Sequence, residues 1–407
     1  MERGVIVIGG GQAAARGAKA MRVAGYAGPI TILGDEAHLP YERPMLSKAM
    51  LLQPGAEAPQ VLAEPDYAAS GITVRTGCRA AAIDRAQREV VLTDGARLRY
   101  DRLLIATGSR IRPLTIDGVA PERILSLRTL DDGRHLAEML GGRPALTVVG
   151  GGFIGLEVAA SAAKLGCAVT VIEAADRLLP RLGSPDASAV VLDHHRRTGV
   201  DVRLGVKAVS GEDGRLRLSD GSEAAADVVL AGVGVAPDTA LAEAAGLDCQ
   251  DGLLVDAFGC TSDPEIFAAG DVTRHHNPLL GRSLRLESWQ NANVQAEAAG
   301  RTIAGVPTES AEIPWLWSDQ GDLNLQAAGA PLVVAHTVLR GDPRGEDGLT
   351  IFQFDGGRLV GGVTINRGKE MPMIRRLLAQ PDLRLDPDRL ADATTPLRRL
   401  LPASEAA

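Results

Sequence analysis

An α/β fold in which one strand–turn–helix unit occurs twice is what the sequence predicts, and three observations predict it. Strand-like apolar runs at Val5–Ile8 and at 146–149 each lead into a glycine-rich turn. Each turn opens an alanine-bearing stretch, followed by a second short apolar run that ends at an acidic residue. Glycine contributes 47 of 407 residues while Phe, Trp and Tyr together make up only 3%, which suits tight packing of strands on helices.

The first unit places Gly9, Gly11 and Ala14 in a GxGxxA turn, then a helix running to about Ala24 and a strand at Ile30–Leu33. Gly9 permits the sharp turn, Gly11 lets the backbone approach a pyrophosphate, and Ala14 lets helix and strand pack closely. Free N–H groups and the dipole at the helix N-terminus favour that negative charge. Asp35, beside Glu36, is placed to accept hydrogen bonds from an adenosine ribose. The second unit repeats the device with Gly150, Gly152 and Gly155, a helix to about Leu165, a strand over 168–172 and then Glu173. Both acidic residues fall slightly beyond the expected separation of about 20 positions. Any glycine-rich strand–helix junction can mimic one such turn, but two with matching flanks specify two dinucleotide sites. A carboxylate at Glu173 accepts a free 2′-hydroxyl and repels a 2′-phosphate, which favours NADH over NADPH.

A chain of 407 residues suggests two or three domains. With 43 Lys plus Arg against 51 Asp plus Glu the net charge is −8. Non-specific nucleic-acid or anionic-membrane binding would call for a basic excess, so neither is expected. No run offers the roughly 18 uninterrupted apolar residues of a membrane span. Because the first strand starts almost at Met1, no signal peptide is expected. Cys78, Cys167, Cys249 and Cys260 form no CxxC pair, which predicts reduced thiols, no metal site and a cytoplasmic protein.

Two dinucleotide sites in one chain point to a flavin and a nicotinamide, between which a hydride passes directly. Two further short strands end in small-residue turns, one at Ala106, Thr107 and Gly108 and the other at Gly270 and Asp271. Their order around the two fingerprints assigns the flavin to the first unit. With the strings at 41–48, 104–108, 150–157, 266–271, 287–289 and 314–319, the chain resembles the FAD-dependent ferredoxin reductases of bacterial oxygenase systems. The resemblance runs from about residue 4 to about 380. It departs at Met45 and Gly321, where the family commonly has Pro and Tyr.

The resemblance implies a glutathione-reductase-like fold. A split FAD domain would cover 1–114 and 243–319, an NAD domain 115–242, and a C-terminal α+β domain with a small antiparallel sheet 320–407. Apolar runs at 349–354 and 358–365 around Asp355, Gly356 and Gly357 agree as a hairpin, and a helix is expected over 370–379. The implied FAD residues are Gly9, Gly11, Gln12, Ala13, Ala14, Asp35, Glu36, Arg43 and Lys48. Ala80, Ala106, Thr107, Gly108, Arg128, Gly270, Asp271, Glu287, Ser288 and Trp289 complete them. The implied NADH residues are Gly150, Gly152, Phe153, Ile154, Gly155, Glu173, Arg181 and Gly234.

The implied catalytic residues are Lys48, Glu157 and Trp317. Lys48, one of only five lysines, is expected to pair with Glu157 and to hold a fixed positive charge for the reduced flavin. Trp317 is expected beside the flavin and the docking surface; core packing is the ordinary alternative for a tryptophan. If 314–317 is extended, Trp315 and Trp317 share one face. The redox disulfide of related reductases is excluded after the first unit, because no cysteine precedes Cys78.

The expected activity is therefore NADH oxidation, with single electrons passed to a 2Fe–2S ferredoxin and through it to an oxygenase. Oxygen, a quinone or peroxide as acceptor, and an NADH-sensing flavoprotein acting through a binding partner, are the alternatives. A monomer or weak homodimer is expected. Arg367, Lys369, Arg375 and Arg376 form either a docking patch for an acidic ferredoxin or a solvated helix face. His194–His195 and His275–His276 read as structural or solvent-exposed pairs. The stretch after Ala391 reads as loose.

Overall fold

In the computed structural model, which describes residues 4–53, 55–330, 336–343, 345, 347–380 and 382–401, the run Val5–Ile8 is the middle strand of a five-stranded parallel sheet. The strand order is Ile266–Ala268, Arg102–Ile105, Val5–Ile8, Ile30–Leu33 and Ile72–Arg75. Side chains alternate across such a sheet. Val5, Val7, Ile30, Ile32 and Leu104 therefore bury against helices, while Ile6, Ile8, Leu33, Leu103 and Ile105 bury on the other face. The second face is covered by Ile83, Val90, Leu92 and Leu98 of an antiparallel sheet formed by Ala80–Asp84, Glu89–Leu92 and Arg97–Arg99.

On the first face the glycine-loop helix Gln12–Val23 packs against Trp289–Ile303. Their backbones approach so closely that a Cβ on Gly300 would stand 2.4 Å from the Gly17 carbonyl oxygen. This explains the alanine-rich composition of both helices. These elements belong to a compact unit formed by Met1–Met45, Glu57–Arg110 and Val235–Glu312.

The remaining segments, Leu46–Ala56, Ile111–Gly234 and Ile313–Ala407, form a second unit. Its parallel sheet has the order Asp201–Leu204, Ala168–Glu173, Ala145–Val149, Val228–Ala231 and Ile124–Leu125. Helices Phe153–Leu165, Pro185–Arg197 and Leu130–Gly141 belong to this unit. Leu130–Gly141 starts from a capping box in which Thr129 and Asp132 satisfy each other's backbone N–H.

The same unit carries a five-stranded antiparallel sheet, ordered Trp315–Gln320, Leu323–Gly329, Arg358–Ile365, Leu349–Asp355 and His336–Gly341. The expected hairpin is the pair Leu349–Asp355 and Arg358–Ile365, and the expected helix is Met371–Leu378. Gly321, at φ +71°, is the first central residue of the two-residue turn joining Gln320 to Leu323. Glycine is the residue such a turn favours.

The expectation of a loose chain after Ala391 is corrected for the described residues. Leu397, Leu400 and Leu401 are buried, and the buried Arg340 guanidinium donates to the carbonyls of Leu390, Asp392, Ala393 and Thr395. One buried cation thus organises a segment whose own composition specifies no element; residues 402–407 lie outside the described residues.

Candidate functional site

The two glycine loops divide labour among their residues in the same way. Gly9 has φ +128° and Gly150 φ +115°. A Cβ at these positions would stand 2.1 Å from the Ala106 carbonyl oxygen and 2.3 Å from that of Gly232. Gly11 and Gly152 instead face space: the nearest atoms to a Cβ there lie 3.9 Å away. Each is the N-cap of its helix, without a side-chain cap bond and with no acidic residue in the first turn. Both helix ends therefore offer uncapped N–H groups and a positive dipole end to an anion, and the residues present fit the pyrophosphate of a dinucleotide. At Gly155 an added Cβ would meet the Gly150 carbonyl oxygen at 2.6 Å, so the third glycine secures the helix on the strand.

The second loop is closed by its acidic residue. Glu173 accepts from the Gly151 N–H at 2.6 Å and from the Ala175 N–H at 2.7 Å. Those bonds fix the carboxylate at the strand end and leave lone pairs for a ribose hydroxyl. Phe153 and Ile154 open the helix, and Ile154 is exposed. Arg181 is exposed on a short 3-10 turn, and Gly234 has φ +89°. The Arg128 N–H donates to Asp132.

In the first unit Asp35 is exposed just past its strand, while Glu36 accepts from the Tyr41 hydroxyl and pairs with Arg43 at 2.7 Å. Gln12 and Ala13 open the first-loop helix, and the Ala13 side chain lies against the Gly270 backbone. Thr107 donates to the Asp238 carbonyl at 2.8 Å, Ser109 to Asp271 at 3.1 Å, and Gly108 accepts from the Asp238 N–H. Ala80 starts its strand. Ser288 caps the helix that begins at Trp289 by accepting from the Asn291 N–H. The Trp289 indole N–H donates to Glu42, and Glu287 pairs with Arg285.

Lys48 and Glu157, expected to pair, are 2.8 Å apart. Glu157 lies on the second-loop helix and is buried at 6% exposure. Its other bonds were not foreseen: it also accepts from the Ser47 hydroxyl, and from the Ser318 hydroxyl at 2.7 Å. The Ser161 hydroxyl holds the Ser47 carbonyl at 2.8 Å, so the second-loop helix anchors the chain just before Lys48. A buried carboxylate requires such donors. Ser47 and Ser318 stand inside the quoted strings, but separations of 110 and 161 residues from Glu157 leave no local signal of the contact.

Trp315 and Trp317 share one strand face as expected, their rings stacked with centroids 5.2 Å apart. Both are half-buried. Of the four basic residues read as a docking patch or a helix face, Lys369 and Arg376 are exposed, whereas Arg367 bonds Glu370 and Arg375 is half-buried. His194, His195 and His275 are buried, and His276 is exposed. No helix among the described residues is long and apolar enough to cross a membrane.

Comparison with known proteins agrees with this geometry. The family described as pyridine nucleotide-disulphide oxidoreductase matches residues 3–296, and a family described as reductase C-terminal matches 315–401. The chain is 41% identical over 396 residues to the ferredoxin–NAD(+) reductase component of the p-cumate 2,3-dioxygenase system of Pseudomonas putida, with 97% of each chain covered. It is 43% identical to the corresponding component of the anthranilate 1,2-dioxygenase system of Burkholderia cepacia, covering 97% of this chain and 98% of that one. A solved structure of the covalent putidaredoxin reductase–putidaredoxin complex superimposes with a TM-score of 0.94 at 34% identity, covering all of both chains. With the paired glycine loops and the reductase C-terminal sheet, these matches establish that the chain belongs to the pyridine nucleotide-disulphide oxidoreductase family, among the FAD-dependent ferredoxin–NAD(+) reductases of oxygenase systems.

Proposed function

We propose that this chain oxidises NADH and reduces a 2Fe–2S ferredoxin that supplies an oxygenase. The supporting observation is the presence of two open glycine loops, each at the head of an uncapped helix, in a chain without a cysteine before Cys78. Bound FAD supplies the step from a two-electron to a one-electron carrier. The balance is NADH and two oxidised ferredoxins giving NAD⁺, two reduced ferredoxins and one proton.

The protein's part is binding, orientation and charge. In this reading the Gly11 loop, with Asp35, Thr107 and Asp271, holds the flavin nucleotide. The Gly152 loop and Glu173 hold NADH and exclude a 2′-phosphate. Lys48, fixed by Glu157, supplies positive charge for the reduced ring. The stacked Trp315 and Trp317, half-buried on the antiparallel sheet, mark the side from which electrons leave. Four free cysteines support a reducing compartment, so we place the protein in the cytoplasm. We retain the division into a split FAD domain, an NAD domain and a C-terminal domain, and a monomer or weak homodimer.

Steady-state NADH consumption by the FAD-loaded enzyme, with and without a 2Fe–2S ferredoxin, tests the acceptor. Turnover should rise strongly with ferredoxin; equally fast turnover in air alone would contradict the proposal and favour an oxidase.

A further inference from the structure

The polar chain behind Glu157 extends further than the Lys48 pair requires. Ser318 accepts from the Gln320 side-chain amide at 3.2 Å, and the Gln320 side-chain carbonyl lies 2.8 Å from His195 Nε2. Ser318, Gln320 and His195 are all 0% exposed. His194 Nε2 lies 3.0 Å from the Gln320 backbone carbonyl, so adjacent histidines on helix Pro185–Arg197 grip both the main chain and the side chain of one residue.

We propose that Gln320 and His195 are positioning residues for the Lys48–Glu157 pair, acting through hydrogen bonds whose donors all point towards Glu157. The proposal rests on the reading of Lys48 given above. In this direction His195 Nε2–H donates to Gln320 Oε1, Gln320 Nε2–H donates to Ser318 Oγ, and the Ser318 proton is left to donate to Glu157 Oε1. Among the described residues the buried His195 Nδ1 has no hydrogen-bond partner, as suits an unprotonated nitrogen in this tautomer. The opposite direction would flip the Gln320 amide, turn the Ser318 proton onto it and aim an oxygen lone pair at the carboxylate. Such chains strengthen cooperatively in a buried setting. Burial also keeps the ring neutral at pH 7, so one proton chooses between two nitrogens. The tautomer of His195 therefore reports where the Ser318 proton goes.

The experiment labels histidine with ¹⁵N in the FAD-loaded protein and, separately, in the flavin-free protein, with His195→Gln for assignment. At pH 7 the His195 ring should carry its proton on Nε2 in both. A ring protonated on Nδ1 would overturn the proposal. In parallel, Ser318→Ala and Gln320→Leu should each slow flavin reduction by NADH about ten-fold, the scale of one hydrogen bond to a charged group, with the NADH Kd changed less than about two-fold. Ser318→Thr, which keeps the hydroxyl, should recover the rate to within about two-fold. Normal rates in Ser318→Ala and Gln320→Leu, alongside a slow Lys48→Ala, would overturn the chain alone. A normal rate in Lys48→Ala would instead overturn the role of the lysine and the positioning proposal with it.

Discussion

Glu173 closes the second glycine loop with its carboxylate. Its bonds to Gly151 and Ala175 lock the strand end, and in the proposed reading the same carboxylate accepts from a ribose hydroxyl. Glu173→Arg should shift preference from NADH towards NADPH by at least about ten-fold in kcat/KM, an electrostatic change near 1.4 kcal/mol. Unchanged selectivity in paired assays would contradict the ribose assignment. At the same scale, burial pushes His195 and His275 down to about 4 from the usual 6.5. Unfolding restores the ordinary value, so between these limits the unfolded chain binds more protons than the native one. Stability is fully present above about pH 6.5 and is lost as pH falls through about 4, with roughly 3 kcal/mol per histidine at stake. Denaturant midpoints should fall across this window, and His195→Gln should flatten the slope. A wild-type midpoint independent of pH would contradict the buried neutral rings.

Helix against helix and strand against strand, the tightest contacts are those that composition foretells. Gly300→Ala would press a methyl against the Gly17 backbone at 2.4 Å. The overpacking cost of about 1–3 kcal/mol exceeds alanine's helix advantage of about 1 kcal/mol. Thermal unfolding of the FAD-loaded protein should therefore start earlier; an unchanged or raised Tm would show that the helices can separate at no cost. Both glycine-loop units were legible because their strands, turns and helices are specified by contiguous residues, and the hairpin at Leu349–Asp355 and Arg358–Ile365 for the same reason. The cluster around Glu157 was legible only as its Lys48 partner. Ser47, Ser318, Gln320 and His195 meet through burial of groups distant in sequence, and no period or spacing encodes that. The segment after Ala391 was misread because the arginine that organises it, Arg340, lies on a strand some 50 residues upstream.

For the molecule as a whole, the question is where electrons leave. The acidic excess lies before residue 321, while the C-terminal stretch is balanced and exposes Lys369 and Arg376. Trp317 lies on the sheet of that same stretch. Trp317→Ala should lower ferredoxin reduction several-fold more than ferricyanide reduction, since the small acceptor has no docking requirement. Equal losses would remove Trp317 from the exit route. The most direct test of the account is an anaerobic titration in which NADH is added to the FAD-loaded enzyme with excess 2Fe–2S ferredoxin, while both absorbance bands are followed. Two ferredoxins reduced per NADH, at catalytic enzyme concentration, is the predicted result. NADH oxidised only to the extent of the enzyme's own flavin, with the ferredoxin still oxidised, would contradict it.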